Sequence, residues 1–480
     1  MGYTKKVVII GAGISGLACA FRLKQSGILP LVLEAGDRPG GVIETMRRDG
    51  FLFEAGPQCP RFPPSVWSLL RDLNLESEFL PGNPKAKRYI FRNGRLHRAP
   101  FSPLDLLTTT LLSFASKFRI LTEVFRTSRP PEREESLALF VQRKFGDEVL
   151  DNLVDPLIST IFFGDSFKMG MQGAFPVLVE WEKNHGSLTR GALRTLRSKR
   201  KARKPASVSA PVDDKPNPAL LKVTDALPSL GTLRDGMATL PQKLAEELRN
   251  EIRYNDSVTF VTPARSAGGN PKAPWQVGLS NGEKLVTERL VLALPAYAAA
   301  RLLSNSIPQL ASPLAAIEYA PLCVLSFAYP RASVQHDLDG FGFMVPRREK
   351  LETICTFFNS SLFPHRAPAG QILLTSFAGR NSNETQESLS DELCARTVES
   401  ENARILGIQS PPTECSFWRN LRALPQYNVG HASLVSEIEA ISRTLPNFHL
   451  LGNFLHGRSI GDCVDSAFRA AHSLHSQIRS

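Results

Sequence analysis

The chain has 480 residues, more than one ordinary hydrophobic core accommodates, so two or three domains are expected. Hydrophobic residues make up 42% and charged residues 21%, the balance of a folded globular protein rather than of a low-complexity chain. The net charge of +11 is partly local, with Arg190, Arg194, Arg197, Lys199, Arg200, Lys201, Arg203 and Lys204 in one run. Seven scattered cysteines form no C-x-x-C pair, which argues against a metal site and a disulfide framework and fits a reducing compartment.

The first element is predicted at once. Met1 to Lys6 runs straight into a strand, leaving no room for a signal peptide, and Lys5 and Lys6 speak against myristoylation of the Met-Gly start. Lys6-Val7-Val8-Ile9-Ile10 is a continuous apolar run, as in a parallel strand buried on both faces. It meets Gly11-Ala12-Gly13-Ile14-Ser15-Gly16, then an apolar helical stretch from Leu17 to Leu23, Gly27, and a second strand ending at Glu34. Gly11 permits a tight turn, Gly13 lets a pyrophosphate approach the backbone, and Gly16 lets helix and strand pack closely. The helix N-terminus offers free N–H groups to phosphate, and Glu34 can accept both ribose hydroxyls. Strand, glycines, helix, second strand and terminal acid occur in the order that a dinucleotide site requires. This unit alone fits NAD or FAD, while a carboxylate at Glu34 disfavours NADP.

Leu104 to Phe125 is apolar but is interrupted by Asp105, Lys117, Arg119 and Glu123, so it fails the requirement for a membrane-spanning helix. Interfacial docking, helped by Arg126 and Arg129, and a buried helical hairpin both remain open. The basic run from Arg190 to Lys204 leads into Pro205 to Pro218, a Pro- and Ser-rich stretch, and together they read as a solvated mobile loop. An anionic partner is the alternative, nucleic acid being the least expected because no binding module surrounds the run. Ser257 to Val261 and Trp275 to Leu279 read as strands, Ser280-Asn281-Gly282 as a hairpin turn, and Leu290 to Pro295 as a further strand. His431 and His456 read as structural histidines rather than bases.

Glu34-Ala35-Gly36-Asp37-Arg38-Pro39-Gly40-Gly41 resembles the E-x(3)-R-x-GG extension of flavin amine oxidases, and Phe53-Glu54-Ala55-Gly56-Pro57 resembles their next segment. That likeness selects FAD over NAD. From Lys87-Arg88-Tyr89 onward the chain is similar to one family, the protoporphyrinogen oxidases. The similarity rests on Asp155-Pro156, Gly164-Asp165, Phe175-Pro176 with Glu180, and Gly340 to Pro346. It continues through Phe363-Pro364-His365-Arg366-Ala367-Pro368, Pro425-Gln426-Tyr427-Asn428-Val429-Gly430-His431, Gly452-Asn453 and Gly461-Asp462-Cys463, in family order along essentially the whole chain.

The resemblance implies an α/β protein with a discontinuous Rossmann-like FAD-binding domain, a mixed-sheet substrate domain and an inserted helical membrane-associated domain. The expected boundaries are 1–83, 229–308 and 425–480 for the first, 84–92, 196–228 and 309–424 for the second, and 93–195 for the third. It implies oxygen-dependent oxidation of protoporphyrinogen IX to protoporphyrin IX in haem biosynthesis, at the cytoplasmic face of a membrane. Ferrochelatase and a second copy of the chain are the protein partners it leaves open. It carries cofactor contacts to Gly11, Gly13, Ile14, Ser15, Gly16, Glu34, Ala35, Arg38, Gly40, Gly41, Gly56 and Pro57. Further contacts fall on Val258, Trp418, Gly452, Asn453, Ile460, Asp462 and Cys463. Substrate contacts fall on Arg88, for a propionate, and on Thr160, Met344, Phe357 and Phe377; Arg92 and Arg95 are rivals of Arg88. No acid–base pair is implied, because the flavin carries the redox chemistry.

Three departures stand out. Gln58-Cys59-Pro60 replaces the usual Asn-Ser-Phe, Thr160 replaces a glycine and would resist positive φ, and Arg458 stands where an aliphatic residue is usual. They keep open coproporphyrinogen III as substrate and a non-catalytic FAD-binding partner of a haem-pathway enzyme. An amine oxidase or carotenoid desaturase shares the N-terminal signature.

Overall fold

The computed structural model describes residues 4–100, 102–202, 230–263, 275–379 and 390–479. Pro205 to Pro218 and the end of the basic run lie outside them. In chain order the strands are β1 (Thr4–Ile10), β2 (Leu31–Leu33), β3 (Thr45–Arg48), β4 (Phe51–Glu54), β5 (Phe79–Pro81), β6 (Lys87–Arg92), β7 (Arg95–Arg98), β8 (Gly231–Leu233) and β9 (Ile252–Arg253). There follow β10 (Val258–Pro263), β11 (Trp275–Leu279), β12 (Lys284–Leu292), β13 (Tyr319–Pro330), β14 (Gly340–Met344), β15 (Thr353–Phe358), β16 (Gln371–Ala378), β17 (Glu414–Pro425) and β18 (Phe448–Leu450).

Two larger sheets organise the molecule. The first runs β10-β11-β12-β1-β2-β9, with β18 beside β12. Strand β1 is parallel to both neighbours, Ile9 standing opposite Val291 and Val32. Its residues alternate between two cores. Val7 and Ile9 join the helix α1 (Ile14–Gln25) and the last helix, Ile460–Arg479, while Val8 and Ile10 join Trp275, Leu290 and the helices Ala296–Leu303 and Pro308–Ala315. That division is why the run is apolar at every position. The pieces of this sheet come from three separated stretches, so the cofactor domain is discontinuous.

The second sheet runs β17-β13-β16-β15-β14-β6-β7 and is mixed: β13 is antiparallel to β16 and β17, and β14 is parallel to β6. Helix Asp391–Leu406 covers the core on one face, and the other face carries Ile90, Val324, Met344, Cys355 and Phe377. The hairpin of β6 and β7 extends this sheet to Arg98, so the boundary expected at residue 92 cuts a hairpin.

Between the sheets in sequence lies a helical insert with its own core, built around Leu137, Phe140, Val141, Leu150, Ile158 and Met169. Its last helix is Leu188–Ala202, which crosses the boundary expected at residue 195. The mobile loop expected over the basic run is therefore helical as far as Ala202. The cause is a distant cap: Glu123 accepts from the N–H groups of Leu188 (2.8 Å) and Thr189 (3.1 Å), and the Arg190 Nε donates to the Val124 carbonyl (2.7 Å). Helices Pro103–Thr108 and Phe114–Leu121 leave Leu104, Phe114 and Phe118 exposed, with Phe125 beyond them, so the buried-hairpin alternative does not hold. No helix among the described residues is long and apolar enough to cross a membrane.

Candidate active site

The turn after β1 is shaped by backbone contact. Gly11 has φ +105°, and a side chain on Gly16 would place its Cβ 2.0 Å from the Gly11 carbonyl oxygen. Gly13, by contrast, has ordinary dihedrals, and a Cβ there would meet nothing within 4 Å. Gly13 is also the N-cap of α1 and supplies no side-chain cap, so the first-turn N–H groups have no acceptor within the helix and suit an anion. Gly40 closes against the turn, its N–H donating to the Ala12 carbonyl (2.9 Å), and Gly41 packs beside Gly13. Arg38 braces this loop by donating to the Gly41 carbonyl (2.9 Å) and to Glu44 (2.6 Å). Glu34 follows β2 directly, one carboxylate oxygen accepting from the Ala12 N–H (2.7 Å) and the other from the Gly36 N–H (2.9 Å). Each oxygen retains a lone pair for a hydroxyl. Ala35 lies between them, and Asp256, two residues before Val258, donates its N–H to the Glu34 carbonyl (3.0 Å).

The last helix converges on the same place. Cys463 shares a hydrogen bond with Ser15, so the starts of α1 and of the helix opened by Ile460 lie side by side; burial pushes the Cys463 thiol up to about 11. Asp462 is occupied as a cap: its carboxylate accepts from the N–H of Ser459 (2.9 Å) and its N–H donates to the Ser459 hydroxyl (3.1 Å). Gly452 leaves room for the Phe454 ring, which a Cβ would meet at 2.3 Å, and the Asn453 carbonyl accepts from the Tyr427 hydroxyl (2.8 Å). Gly56 allows a close approach of Val42, its Cβ position being 2.6 Å from the Val42 carbonyl, with Pro57 next in the chain. Two helix N-termini, an open glycine backbone and a braced carboxylate form a donor set that suits the pyrophosphate and ribose of a dinucleotide.

In the second sheet, strand register assembles an apolar wall. Met344 stands opposite Cys355, and Cys355 opposite Phe377, while Phe357 stands opposite Gly342. The rings of Phe341 and Phe357 are 5.9 Å apart, those of Phe357 and Phe377 5.7 Å, and those of Phe377 and Phe163 5.0 Å. Arg88 stands opposite Gly342 on the other side and lies 4.6 Å over the Phe341 ring. Burial, with Arg61 nearby, lowers the Arg88 pKa, while Cys59 beside it acts in the opposite direction. Trp418 is half-buried on β17, touching both this wall and the core of Phe51 and Phe53. The rivals of Arg88 point elsewhere: Arg92 lies beside Glu148 and Asp151 of the helical insert, and Arg95 is exposed in a hairpin strand.

Thr160 is not strained. It lies inside helix Asp155–Phe162 with its hydroxyl donating to the Pro156 carbonyl (2.9 Å), and the left-handed residue is Phe163, at φ +49°. The β-branched Thr160 thus keeps ordinary helical backbone, and the positive φ falls on the residue that ends the helix. His431 is buried and stacked on Tyr427 at 4.2 Å, and His456 is paired with Glu439 (2.5 Å).

One knot, unmarked by residue type alone, joins cradle and wall. Arg366 is fully buried and faces Glu54 at 3.5 Å; it also donates to the Gln58 carbonyl (3.1 Å), the Thr232 hydroxyl (2.9 Å) and Asn359 (3.3 Å). Gln58, one of the three departures, accepts from Asn359 (2.9 Å) and so completes the network.

A profile of flavin-containing amine oxidoreductases matches residues 14–475. The chain belongs to this family. It is a flavin-dependent oxidoreductase, with FAD as the cofactor that the cradle fits. Among its relatives is protoporphyrinogen oxidase 2, chloroplastic/mitochondrial, of Arabidopsis thaliana, 30% identical over 99% of this chain and 95% of that protein. Coproporphyrinogen III oxidase of Bacillus subtilis is also 30% identical, over 96% of each chain. Among solved structures, a chain from Exiguobacterium sp. 255-15 named with the protoporphyrinogen oxidases covers 99% of this chain and 100% of its own, with a TM-score of 0.79 at 24% identity. Cyclohexylamine oxidase from Brevibacterium oxydans has a TM-score of 0.70 at 16% identity, covering 99% of this chain and all of its own. These two likenesses concern the fold.

Within this amine oxidoreductase, sequence reasoning missed Phe163 and Phe341, which complete the ring row, and the Glu54–Arg366 pair. The Phe-Pro-x-Arg-Ala-Pro segment was the available signal for Arg366. Nothing local distinguishes Phe163 from its buried neighbour Phe162.

Proposed function

We propose that the protein oxidises protoporphyrinogen IX to protoporphyrin IX in haem biosynthesis, removing six electrons in three two-electron turns while three molecules of oxygen become hydrogen peroxide. The observation that carries this reading is the row of aromatic rings capped by the stacked guanidinium of Arg88. A wall of this kind suits a large apolar macrocycle bearing carboxylates. The names of the Arabidopsis and Bacillus relatives support the same substrate class.

FAD, held by the Gly11–Gly16 turn, Glu34 and the start of the last helix, would accept the hydride and electrons that leave the substrate. The chain's own residues bind and orient. Arg88, fixed by Phe341, offers a planar fork to a propionate. Phe357, Phe377 and Met344 hold the macrocycle by contact, and the Phe163 ring closes the wall against Phe377 and helps to exclude water. Glu54 and Arg366 hold the cradle and the wall in one geometry.

We further propose that the helical insert attaches the protein peripherally to a membrane. Leu104, Phe114, Phe118, Leu121 and Phe125 are exposed on it, beside Arg126 and Arg129, a pattern that suits interfacial docking. The deciding experiment for the activity is aerobic incubation of the FAD-loaded protein with protoporphyrinogen IX, following porphyrin fluorescence and peroxide together. Formation of both at a three-to-one ratio of peroxide to porphyrin is expected; bound substrate with no flavin reduction would overturn an enzymatic role.

A further inference from the structure

Arg458 lies near the rings of Phe162 and Tyr427 (5.7 Å from the latter's centroid), beside the residue that precedes Phe163 at the end of the ring row. Its guanidinium stacks on Phe162, 3.4 Å from the ring centroid, and its Nη1 is 3.5 Å from the Ile161 carbonyl oxygen. Phe162 turns into the core of the helical insert, and the next residue, Phe163, turns to the wall and meets Phe377. Arg458 therefore sits at the seam where the helix ends and the wall ends, while Arg88 caps the opposite end over Phe341.

The surroundings of Arg458 give its charge no close ion pair, although Tyr427 and Asp462 act on it electrostatically and partly offset the effect of burial. Among the described residues no carboxylate lies within ion-pair distance of it, and Asp462, close in the chain, is occupied by the N–H and hydroxyl of Ser459. The starts of α1 and of the last helix, both electropositive, lie on the same side. Burial pulls the guanidinium down to about 10, which still leaves it charged at neutral pH. Face-on stacking covers the plane of the group and Nη1 lies on the Ile161 carbonyl, so the Nε–Nη2 edge is the one a planar acceptor would take.

We infer that Arg458 is a second carboxylate-binding residue, so that the site recognises a tetrapyrrole with carboxylates at both ends of the ring row. Protoporphyrinogen IX carries two propionates on neighbouring pyrroles, whereas coproporphyrinogen III carries one on every pyrrole. With a cation at each end, the site favours the four-carboxylate substrate relative to the same site without Arg458. The inference rests on the porphyrinogen reading above and concerns which member of that class is preferred.

The test compares the FAD-loaded wild-type protein with Arg458→Val and Arg458→Lys on both porphyrinogens, after circular dichroism and flavin stoichiometry have shown each variant to be folded. The expected result is that Arg458→Val lowers the ratio of kcat/KM for coproporphyrinogen III over protoporphyrinogen IX by about tenfold, mostly through KM, with partial recovery in Arg458→Lys. An unchanged ratio would overturn the inference, as would an equal recovery by valine and lysine. Should Arg458→Val fail to fold, Arg458→Gln takes its place, and binding of coproporphyrin III and of its tetramethyl ester to the wild type and to this variant is read by flavin fluorescence. Affinity about tenfold lower in the variant for the free acid alone supports the inference, and an equal change for acid and ester, or none, overturns it. If wild-type protein oxidises neither porphyrinogen, the proposed activity fails, while binding of coproporphyrin III to wild type and Arg458→Val still decides the role of Arg458.

Discussion

Gly13 and Gly16 stand three residues apart on one turn and answer to different constraints. A Cβ at Gly16 would lie 2.0 Å from a backbone oxygen, whereas a Cβ at Gly13 meets nothing within 4 Å. Gly16→Val should therefore fail to fold, seen as loss of soluble protein. Gly13→Val should fold, by circular dichroism, yet purify without flavin colour, because its side chain fills the space of the pyrophosphate. A folded Gly13→Val protein that retains stoichiometric FAD would contradict the placement of the cofactor. Under the proposed function, Arg88 is the residue that orients the substrate. Arg88→Ala should lower kcat/KM for protoporphyrinogen IX by about 10- to 100-fold, corresponding to roughly 1.5–3 kcal/mol for a charged hydrogen bond. Arg88→Lys should recover only part of it, since the fork and the stacking on Phe341 are lost. Arg92→Ala, beside Glu148 and Asp151, should leave KM where it was; a matching loss there would move the propionate to Arg92.

Between elements, the Glu54–Arg366 pair joins β4 of the cofactor side to the short turn Pro364–Arg366 that leads into β16. Removing one partner strands a buried charge, so Arg366→Met should cost about 3–5 kcal/mol in urea denaturation. The double change Glu54→Gln with Arg366→Met should cost less than the sum of the single changes; strict additivity would show that the two groups do not act as a pair. The helix His431–Thr444 carries a second linkage. His431 opens it, buried and stacked on Tyr427, and burial pulls the imidazole down from 6.5 to about 4. In the unfolded chain the histidine protonates near 6.5. Its contribution is therefore complete above that value and is lost as pH falls from 6.5 to about 4, on the order of 3 kcal/mol. Denaturant titrations across that window should show a shallower pH slope for His431→Phe than for the wild type. Identical slopes would show that the imidazole titrates no differently when folded.

At the scale of the whole molecule, the two large sheets hold the chemistry and the helical insert holds the exposed apolar surface. Phe114 is 85% exposed and Phe125 80%, values that an aqueous surface seldom tolerates in neighbouring aromatic side chains. The insert is nevertheless firmly built. Glu182 is buried among Arg143, Lys144 and Ser128; burial alone would raise its pKa, but the hydrogen bonds from these groups hold it at about 2. A rigid support under an apolar rim suits docking rather than local unfolding. The triple change Phe114→Ser, Phe118→Ser, Phe125→Ser should reduce cosedimentation with phosphatidylglycerol-containing vesicles by at least about tenfold, given the transfer free energy of three phenylalanines, with porphyrinogen oxidation in detergent retained. Undiminished cosedimentation would remove this face from the membrane proposal.

The dinucleotide unit was legible in the sequence alone because its geometry is local: Gly11 and Gly16 answer to backbone atoms within a few residues or across one strand, and Gly13 leaves open space at the helix start. The order of motifs identified the family and FAD for the same reason, each being a short run with its own turn chemistry. The convergence of Arg88, Met344, Phe357 and Phe377 could be named only through the family likeness, because it depends on the register of β6, β14, β15 and β16 across nearly 300 residues of chain. Phe163 shows what adjacency cannot supply. It and Phe162 are identical neighbours in one apolar run, and only the left-handed helix end sends one ring to the insert and the other to the wall. The basic run reads as loop by composition, yet it is helical where Glu123, more than sixty residues earlier, caps it. Local spacing thus determined a dinucleotide site, since that follows from backbone constraints, and the family likeness of the motifs selected FAD and the kind of fold. Tertiary packing decided which side chains meet, because contacts between distant segments are set by strand register and helix ends.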